Sequence, residues 1–290
     1  MKKIKYLLLL LVLVPLLIFS GGCSSDSMDN IEIVVTNYPN EFIMKKLYED
    51  HATITSVYPD GVDINEYKIN KKQINDISKV DLFVYNGLIE KERDLAVDLL
   101  AINPNLKIID TAYVLETDYS PEELWLNPSS LLMMSQNIRI ALDEYISSTY
   151  LKKEVEDAYD ELKIELSEID AEYRVAVEST DNKTIIVADA ALKYLEKFGL
   201  NVICIDTDAS QKTMADAENI IEAGTVSYII TFKDLPDNEN VSAMLEKYPS
   251  LNKIELHKLD NISDEERSNK ENYDSIMRDN LELIKKELYQ

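Results

Sequence analysis

The segment Ile31-Glu32-Ile33-Val34-Val35-Thr36 decides the fold class, because it is a short β-branched apolar run of the length expected for a buried strand. An amphipathic stretch with helical spacing follows it at 40–50, and the same alternation then continues along the chain. The later members of this first series are apolar runs at 53–58, 82–85 and 106–109 and a helical stretch at 71–78. Strands separated by helices of this size predict a mostly parallel α/β sheet.

The second half of the chain repeats this alternation. Its members are apolar runs at 184–188, 202–205, 228–232 and 254–256, helical stretches at 191–198, 215–222 and 241–247, and a closing amphipathic helix at 273–288. The repeat predicts two α/β lobes, each with a mostly parallel sheet flanked by helices, at 31–128 and 180–290.

The segment between the lobes, 129–179, contains no Gly or Pro and keeps apolar residues at helical spacing. Examples are Leu131, Met134, Ile138, Leu142 and Tyr145. This pattern predicts one long connecting helix, which would span about 75 Å at 1.5 Å per residue. A break near 147–150, giving two helices, is the alternative.

The first 22 residues have the features of a signal peptide: Lys2, Lys3 and Lys5, then an apolar run at 6–19. A membrane-spanning helix needs roughly 20 apolar residues, so this run is too short for a permanent anchor. Small residues precede Cys23, and Ser24 and Ser25 follow it, as in a bacterial lipobox. We expect Cys23 to be lipidated and to hold the chain at the extracytoplasmic face of the membrane, with residues 23–30 as a tether. Cleavage elsewhere, beside a chance cysteine, is the alternative.

Charge and cysteine content limit the function classes. The leader holds three basic residues and no acidic ones, so the remaining chain has 27 basic against 54 acidic residues, a net charge of −27. Nucleic acid is excluded as a partner because binding it requires a basic face. Cys204 is the only cysteine besides Cys23, so no internal disulfide can form after lipidation.

Five segments, in order, resemble the metal-receptor lipoproteins of bacterial ABC importers for zinc and manganese. They are Val35-Thr36-Asn37-Tyr38-Pro39, Gly61-Val62-Asp63, Asp81-Leu82-Phe83-Val84-Tyr85-Asn86-Gly87, Leu124-Trp125-Leu126-Asn127-Pro128 and Tyr194-Leu195-Glu196-Lys197-Phe198-Gly199-Leu200. The resemblance implies two lobes joined by a long helix, a divalent metal captured between them, and delivery to a membrane permease with a cytoplasmic ATPase. It also implies a monomer.

In this family four side chains from both lobes hold the metal, and histidines usually supply several of them. The corresponding positions here are Asn65, Glu123, Asp189 and Asp260. A shift of one residue in the first loop would put Glu66 in place of Asn65. Neither His51 nor His257 lies at one of these positions, so the usual histidine ligands are replaced.

An all-oxygen set suits hard divalent cations better than zinc. We therefore expect Mn²⁺ as the transported ion, with Zn²⁺ or Fe²⁺ as alternatives, because the family already imports manganese. The opposing hypothesis is that the carboxylates are solvated or paired with lysines such as Lys68 or Lys233. The chain would then be a surface adhesin or interaction lipoprotein that has lost metal binding. Catalysis is not expected, because the sequence has neither a Gly-x-Ser-x-Gly nor a His-Glu-x-x-His motif.

Overall fold

The structure is a computed structural model that describes residues 27–290. The predicted signal peptide, 1–22, and the predicted lipidation site, Cys23, lie outside the described residues. Within 27–290 the chain forms two parallel four-stranded sheets with helices packed around them. The α/β class is confirmed, while the exact lobe boundaries stay predictions. No helix in the described part is long and apolar enough to cross a membrane.

The N-terminal lobe contains a sheet in the order β2-β1-β3-β4. Its strands are β1 (Ile31–Val35), β2 (Ala52–Ser56), β3 (Leu82–Tyr85) and β4 (Lys107–Asp110). Its helices are α1 (Tyr38–Tyr48), α2 (Lys71–Ile77) and α3 (Glu90–Ile102), and a short 3₁₀ helix (Glu49–His51) precedes β2.

Both faces of this sheet are covered, which explains why β3 is apolar at every position. Ile33 and Val84 pack into the core that continues toward the second lobe. Val34 and Phe83, which point the opposite way, pack into a separate core on the outer face. The period of two along each strand therefore distributes the side chains between two hydrophobic layers.

The C-terminal lobe repeats this topology in the order β6-β5-β7-β8. Its strands are β5 (Thr184–Val187), β6 (Asn201–Cys204), β7 (Tyr228–Phe232) and β8 (Asn252–Leu256). Its helices are a 3₁₀ helix (Ala190–Phe198), α7 (Gln211–Glu222), α8 (Glu239–Lys247), α9 (Asp264–Ser268) and α10 (Tyr273–Leu288).

The connecting segment corrects one prediction: it is not one continuous helix. After the short α4 (Glu123–Leu126), the chain forms α5 (Pro128–Tyr145) and α6 (Thr149–Glu178). Ile146 is extended and buried, and the Ser148 side chain accepts a hydrogen bond from the Leu151 N–H as the N-cap of α6.

The two helices fold back on each other as an antiparallel hairpin. Near the turn the Lys152 ammonium lies 3.3 Å from Asp143, and farther along the Arg139 guanidinium lies 2.7 Å from Glu156. At the open end, the Ser129 hydroxyl donates to Asp170 at 2.9 Å. Because the residue numbers rise on one helix as they fall on the other, the helices run in opposite directions.

Helix α6 contacts both lobes. Lys46 of α1 lies 2.7 Å from Glu165, and the Tyr173 hydroxyl donates to the Met277 carbonyl of α10 at 2.9 Å. One hydrophobic core runs through both lobes and includes Ile33 and Ile185. The lobes therefore share a packed interior.

A buried polar cluster lies inside the N-terminal lobe, around the Glu92 carboxyl, and we call it the Glu92 cluster. Glu92 accepts hydrogen bonds from the Thr36 hydroxyl, from Asn37 Nδ2 at 3.0 Å and from the Asn86 N–H at 2.7 Å. All four residues are at most 1% exposed. Burial raises the pKa of Glu92 to about 7, although these hydrogen bonds act in the opposite direction.

Candidate metal site between the lobes

Loops at the carboxyl ends of strands in both sheets meet between the lobes. We call this contact, formed by residues 36–41, 57–67 and 257–267, the interlobe seam. Its backbone bonds join Tyr38 N to Asp260 O at 3.1 Å and Gly61 N to Ile262 O at 2.9 Å, and Asn261 Nδ2 donates to Pro59 O and Val62 O at 2.9 Å. Ligands of open α/β sheets bind at this end of the strands.

Arg267 reinforces the interlobe seam from the C-terminal lobe. Its guanidinium donates to both carboxylate oxygens of Glu41, at 2.8 and 3.2 Å, and to both oxygens of Asp60, at 2.5 and 2.7 Å. Glu41 is only 5% exposed, so its charge needs a partner at this position. The lobes are thus held together by the chain's own ionic contacts.

A cavity of about 270 Å³ opens in the interlobe seam, and two of the four predicted ligands line it, Asn65 and Asp260. Glu66 is not among the lining residues, so Asn65 is the residue that faces the cavity. The Lys91 ammonium holds the Asn65 loop in place by donating to the carbonyls of Ile64, at 2.7 Å, and Tyr67, at 2.5 Å.

The third predicted ligand, Glu123, does not face the seam. Its carboxylate accepts backbone hydrogen bonds from Asp118 at 3.3 Å, Tyr119 at 2.5 Å and Ser120 at 2.7 Å, and so closes the loop before α4. The neighbouring Glu122 points the other way and lies 3.0 Å from the Lys258 ammonium. Two adjacent glutamates fit the predicted spacing, and Glu122 is the one that contacts Lys258.

Asp189, the remaining predicted ligand, follows β5. Its Oδ1 accepts from the Ala191 N–H at 2.8 Å and so caps the 3₁₀ helix. Asp189 lines a second cavity, of about 300 Å³, together with Asp206 and Asp237. Burial raises its pKa, and the nearby Lys258 charge counteracts part of that rise.

Lys258, two residues after the end of β8, connects these carboxylates. Its ammonium lies 3.0 Å from Glu122 and 3.6 Å from Asp260, and its side chain is 12% exposed. Burial alone would lower the pKa of Lys258, but the charges of Glu122 and Asp260 outweigh it and raise that pKa. For Glu122 burial is likewise outweighed, and Lys258 holds its pKa below the usual range.

This arrangement gives the carboxylates a cation from the chain itself. Among residues 27–290, no three His, Cys, Asp or Glu side chains are arranged so that they could hold a metal ion as they stand. The opposing hypothesis named Lys68 and Lys233 as examples of pairing lysines, and Lys233 lies 3.1 Å from Glu266 instead.

The two histidines also have protein partners. His51 lies 3.1 Å from both Asp29 and Glu154, away from the seam. His257 lines the seam cavity, where its Nδ1 accepts from the Leu259 N–H at 2.9 Å and its Nε2 lies 3.4 Å from Glu266. These contacts occupy both ring nitrogens of His257, which lies beside the candidate site although it is not one of the predicted ligands.

Sequence reasoning missed Glu122 and Lys258. A signal for Lys258 was present, because it lies two residues before the predicted ligand Asp260 and two residues after a strand. Nothing in the local sequence shows that its side chain turns toward Glu122, which is 136 positions away in the chain.

Comparison with known proteins identifies the family. A family model named ZnuA, described as "Zinc-uptake complex component A periplasmic", matches residues 33–287. The zinc-binding lipoprotein AdcA of Streptococcus pneumoniae is 24% identical over 312 residues, covering 98% of this chain and 61% of AdcA. The manganese ABC transporter substrate-binding lipoprotein PsaA, from the same species, is 29% identical over 220 residues, covering 68% of this chain and 69% of PsaA.

The solved structures agree on the fold. The metal-dependent lipoprotein YcdH of Bacillus subtilis has a TM-score of 0.73 at 21% identity, covering 90% of this chain and all of YcdH. The predicted relationship to metal-receptor lipoproteins is confirmed at the level of the family, and the relatives above are named as metal-binding lipoproteins and not as enzymes. The chain therefore belongs to the ZnuA family, and the two relatives above are named for zinc and for manganese.

Proposed function

We propose that this chain captures a hard divalent cation, with Mn²⁺ favoured over Zn²⁺ and Fe²⁺, between its lobes and delivers it to a membrane permease driven by a cytoplasmic ATPase. The protein would act as a monomer, held at the extracytoplasmic face of the membrane by lipid on Cys23. The candidate ligands are Glu122, in place of Glu123, with Asp189, Asp260 and the Asn65 amide oxygen.

The observation that carries this proposal is the convergence of carboxylates from both lobes on one cation. Glu122 lies before α4, Asp260 follows β8, and Lys258 is in reach of both. Asp189 follows β5 in the same lobe as Asp260, and the Lys258 charge counteracts part of the rise in its pKa. Oxygen ligands without histidine favour manganese over zinc, even though AdcA is named for zinc.

Isothermal titration calorimetry of the full chain with MnCl₂, ZnCl₂ and FeCl₂ under anaerobic conditions tests the proposal. We expect one Mn²⁺ per chain at saturation, and we expect Asp260→Ala and Asp189→Ala each to weaken Mn²⁺ binding by about tenfold or more. The control is Glu255→Ala, whose carboxylate lies on β8 and is half exposed. If none of the three metals binds the wild-type chain, capture of these cations is refuted and the adhesin alternative gains support.

A further inference from the structure

The Lys258 ammonium lies where cargo would have to bind. It is 3.0 Å from Glu122 Oε1 and 3.6 Å from Asp260 Oδ2, and only 12% of its side chain is exposed. A lysine this deeply buried is uncommon unless it is paired with opposite charge. Its carboxylate partners are the same groups that the proposed function assigns to the metal.

The backbone around Lys258 is held by hydrogen bonds from several sides, so the side chain starts from a well-fixed position and not from a loose loop. The Trp125 indole donates to the Lys258 carbonyl at 2.9 Å from the other side of the seam. The Asn280 side chain accepts from His257 N at 2.8 Å and donates to His257 O at 2.9 Å. Leu259 takes a φ of +62°, a backbone conformation that residues with a side chain seldom adopt.

A divalent cation cannot share these carboxylates with the lysine. Hard divalent ions sit about 2.0–2.6 Å from their oxygen ligands, closer than the ammonium lies, so Glu122 and Asp260 would have to move inward. The divalent cation and the Lys258 ammonium, bound to the same carboxylates, would repel each other strongly in this partly desolvated gap. Lys258 also lines the 270 Å³ cavity, and its flexible four-carbon stem gives the ammonium room to withdraw.

We propose that Lys258 is a built-in competitor for the cargo: its ammonium neutralises Glu122 and Asp260, allows the lobes to close without metal, and must leave before a divalent cation binds. This inference rests on the proposed location of the cargo site. It assigns Lys258 the role of setting how tightly metal is held, because each bound ion must displace an existing ionic contact.

The test compares MnCl₂ binding to the full wild-type chain, to Lys258→Met and to Lys253→Met by calorimetry. Methionine keeps most of the length of the side chain and removes its charge. Lys253 is a matched control, because it also lies between two carboxylates, 3.0 Å from Asp237 and 3.3 Å from Glu255, but outside the seam. We expect Lys258→Met to bind Mn²⁺ about 100-fold more tightly than wild type, and Lys253→Met to bind within about threefold of it.

Two results separate this inference from the proposed function. If the wild-type chain binds no metal but Lys258→Met does, the competitor role stands and cation capture by the natural chain fails. If Lys258→Met binds no more tightly than wild type, or if neither binds, the competitor role is overturned.

Lys258→Met leaves two carboxylates without a counter-charge and could unfold, so the thermal midpoint of each variant is measured with and without MnCl₂. We expect Mn²⁺ to raise the midpoint of Lys258→Met more than that of wild type. The double variant Glu122→Gln/Lys258→Met restores the charge balance, and we expect it to fold and to lose most of the gain in affinity. A double variant that keeps the full gain would contradict the role of Glu122.

Discussion

The Glu92 cluster and the Lys258 contacts show two ways in which this chain keeps carboxyl groups out of water. Glu92 is satisfied by uncharged donors, and its pKa rises to about 7. Glu122 is satisfied by an ammonium, and its pKa falls below the usual range. Burial without a counter-charge raises the pKa of Glu92 even though its neutral donors oppose that rise, whereas the ammonium of Lys258 outweighs burial and keeps Glu122 charged. Only the second arrangement can exchange one cation for another.

The largest expected effect comes from removing the Glu92 carboxyl, which is bonded to uncharged donors. Glu92→Ala would leave the Asn86 N–H, Asn37 Nδ2 and the Thr36 hydroxyl without their acceptor in a dry interior. We expect the free energy of unfolding in urea to fall by about 4 kcal/mol, since each buried unsatisfied donor costs about 1–3 kcal/mol. Mn²⁺ binding should not change in the fraction that remains folded.

Glu90→Ala is the control for this experiment, because Glu90 is exposed at the start of α3. It should change the free energy of unfolding by less than about 0.5 kcal/mol. A similar loss in both variants would mean that helix α3, rather than the Glu92 cluster, responds to the substitution.

The second expected effect is the pH dependence of the free energy of unfolding that Glu92 causes. The pKa of Glu92 is raised from its ordinary value of 4.5 to about 7 in the folded chain, so the folded state binds more protons between these values. The contribution of this carboxyl is therefore full below about pH 4.5 and is lost as the pH rises to about 7, by roughly 3 kcal/mol in total.

The measurement is urea unfolding of wild type and Glu92→Gln across pH 4.5–7.5. Glutamine cannot ionise, so the difference between the two proteins should follow the loss expected for Glu92. An identical pH dependence in both proteins would show that Glu92 does not titrate in this range.

The smallest expected effect concerns the ion pairs of Arg267 across the seam. Arg267→Ala removes the guanidinium shared by Glu41 and Asp60, but Lys45 still lies 2.7 Å from Glu41. Arg267 is also about one-third exposed, so solvent weakens the contact. We expect the free energy of unfolding to fall by about 1–2 kcal/mol at low salt, and by less in 0.5 M NaCl.

Arg278→Ala provides the comparison for Arg267, because Arg278 also contacts two carboxylates, Glu172 and Asp274, but on α6 and α10 and not across the seam. It should cost less than about 1 kcal/mol. If both substitutions have the same small effect, the Arg267 contact does not hold the lobes together.

The sequence was sufficient for the sheets, because runs such as 82–85 are apolar at every position and can be buried only between two layers. It was not sufficient for the connecting helices. The only marker of the turn is the polar pair Ser147-Ser148, and serine is tolerated inside helices as well as at their N-caps. Helical periodicity therefore remains intact across a point where the chain reverses direction.

The site was predictable only in part, for a similar reason. Asn65 and Asp260 follow strands, and the sheet brings strand ends to one edge, so both were expected at the seam and both line its cavity. Either Glu122 or Glu123 could accept hydrogen bonds from the backbone at 118–120, and the other then points toward the seam. The choice depends on the folded loop and not on the local pattern. The pairing of Glu122 with Lys258 depends on how the two lobes meet, and no local pattern encodes that.

The continuous core that includes Ile33 of one lobe and Ile185 of the other has a consequence for folding. Neither sheet can complete its inner layer alone, since each uses α6 and its neighbours as the opposite wall. The chain should therefore behave as one cooperative unit, in which heat or denaturant melts both halves in a single step. A truncation between them would give two insoluble fragments and not two independent modules.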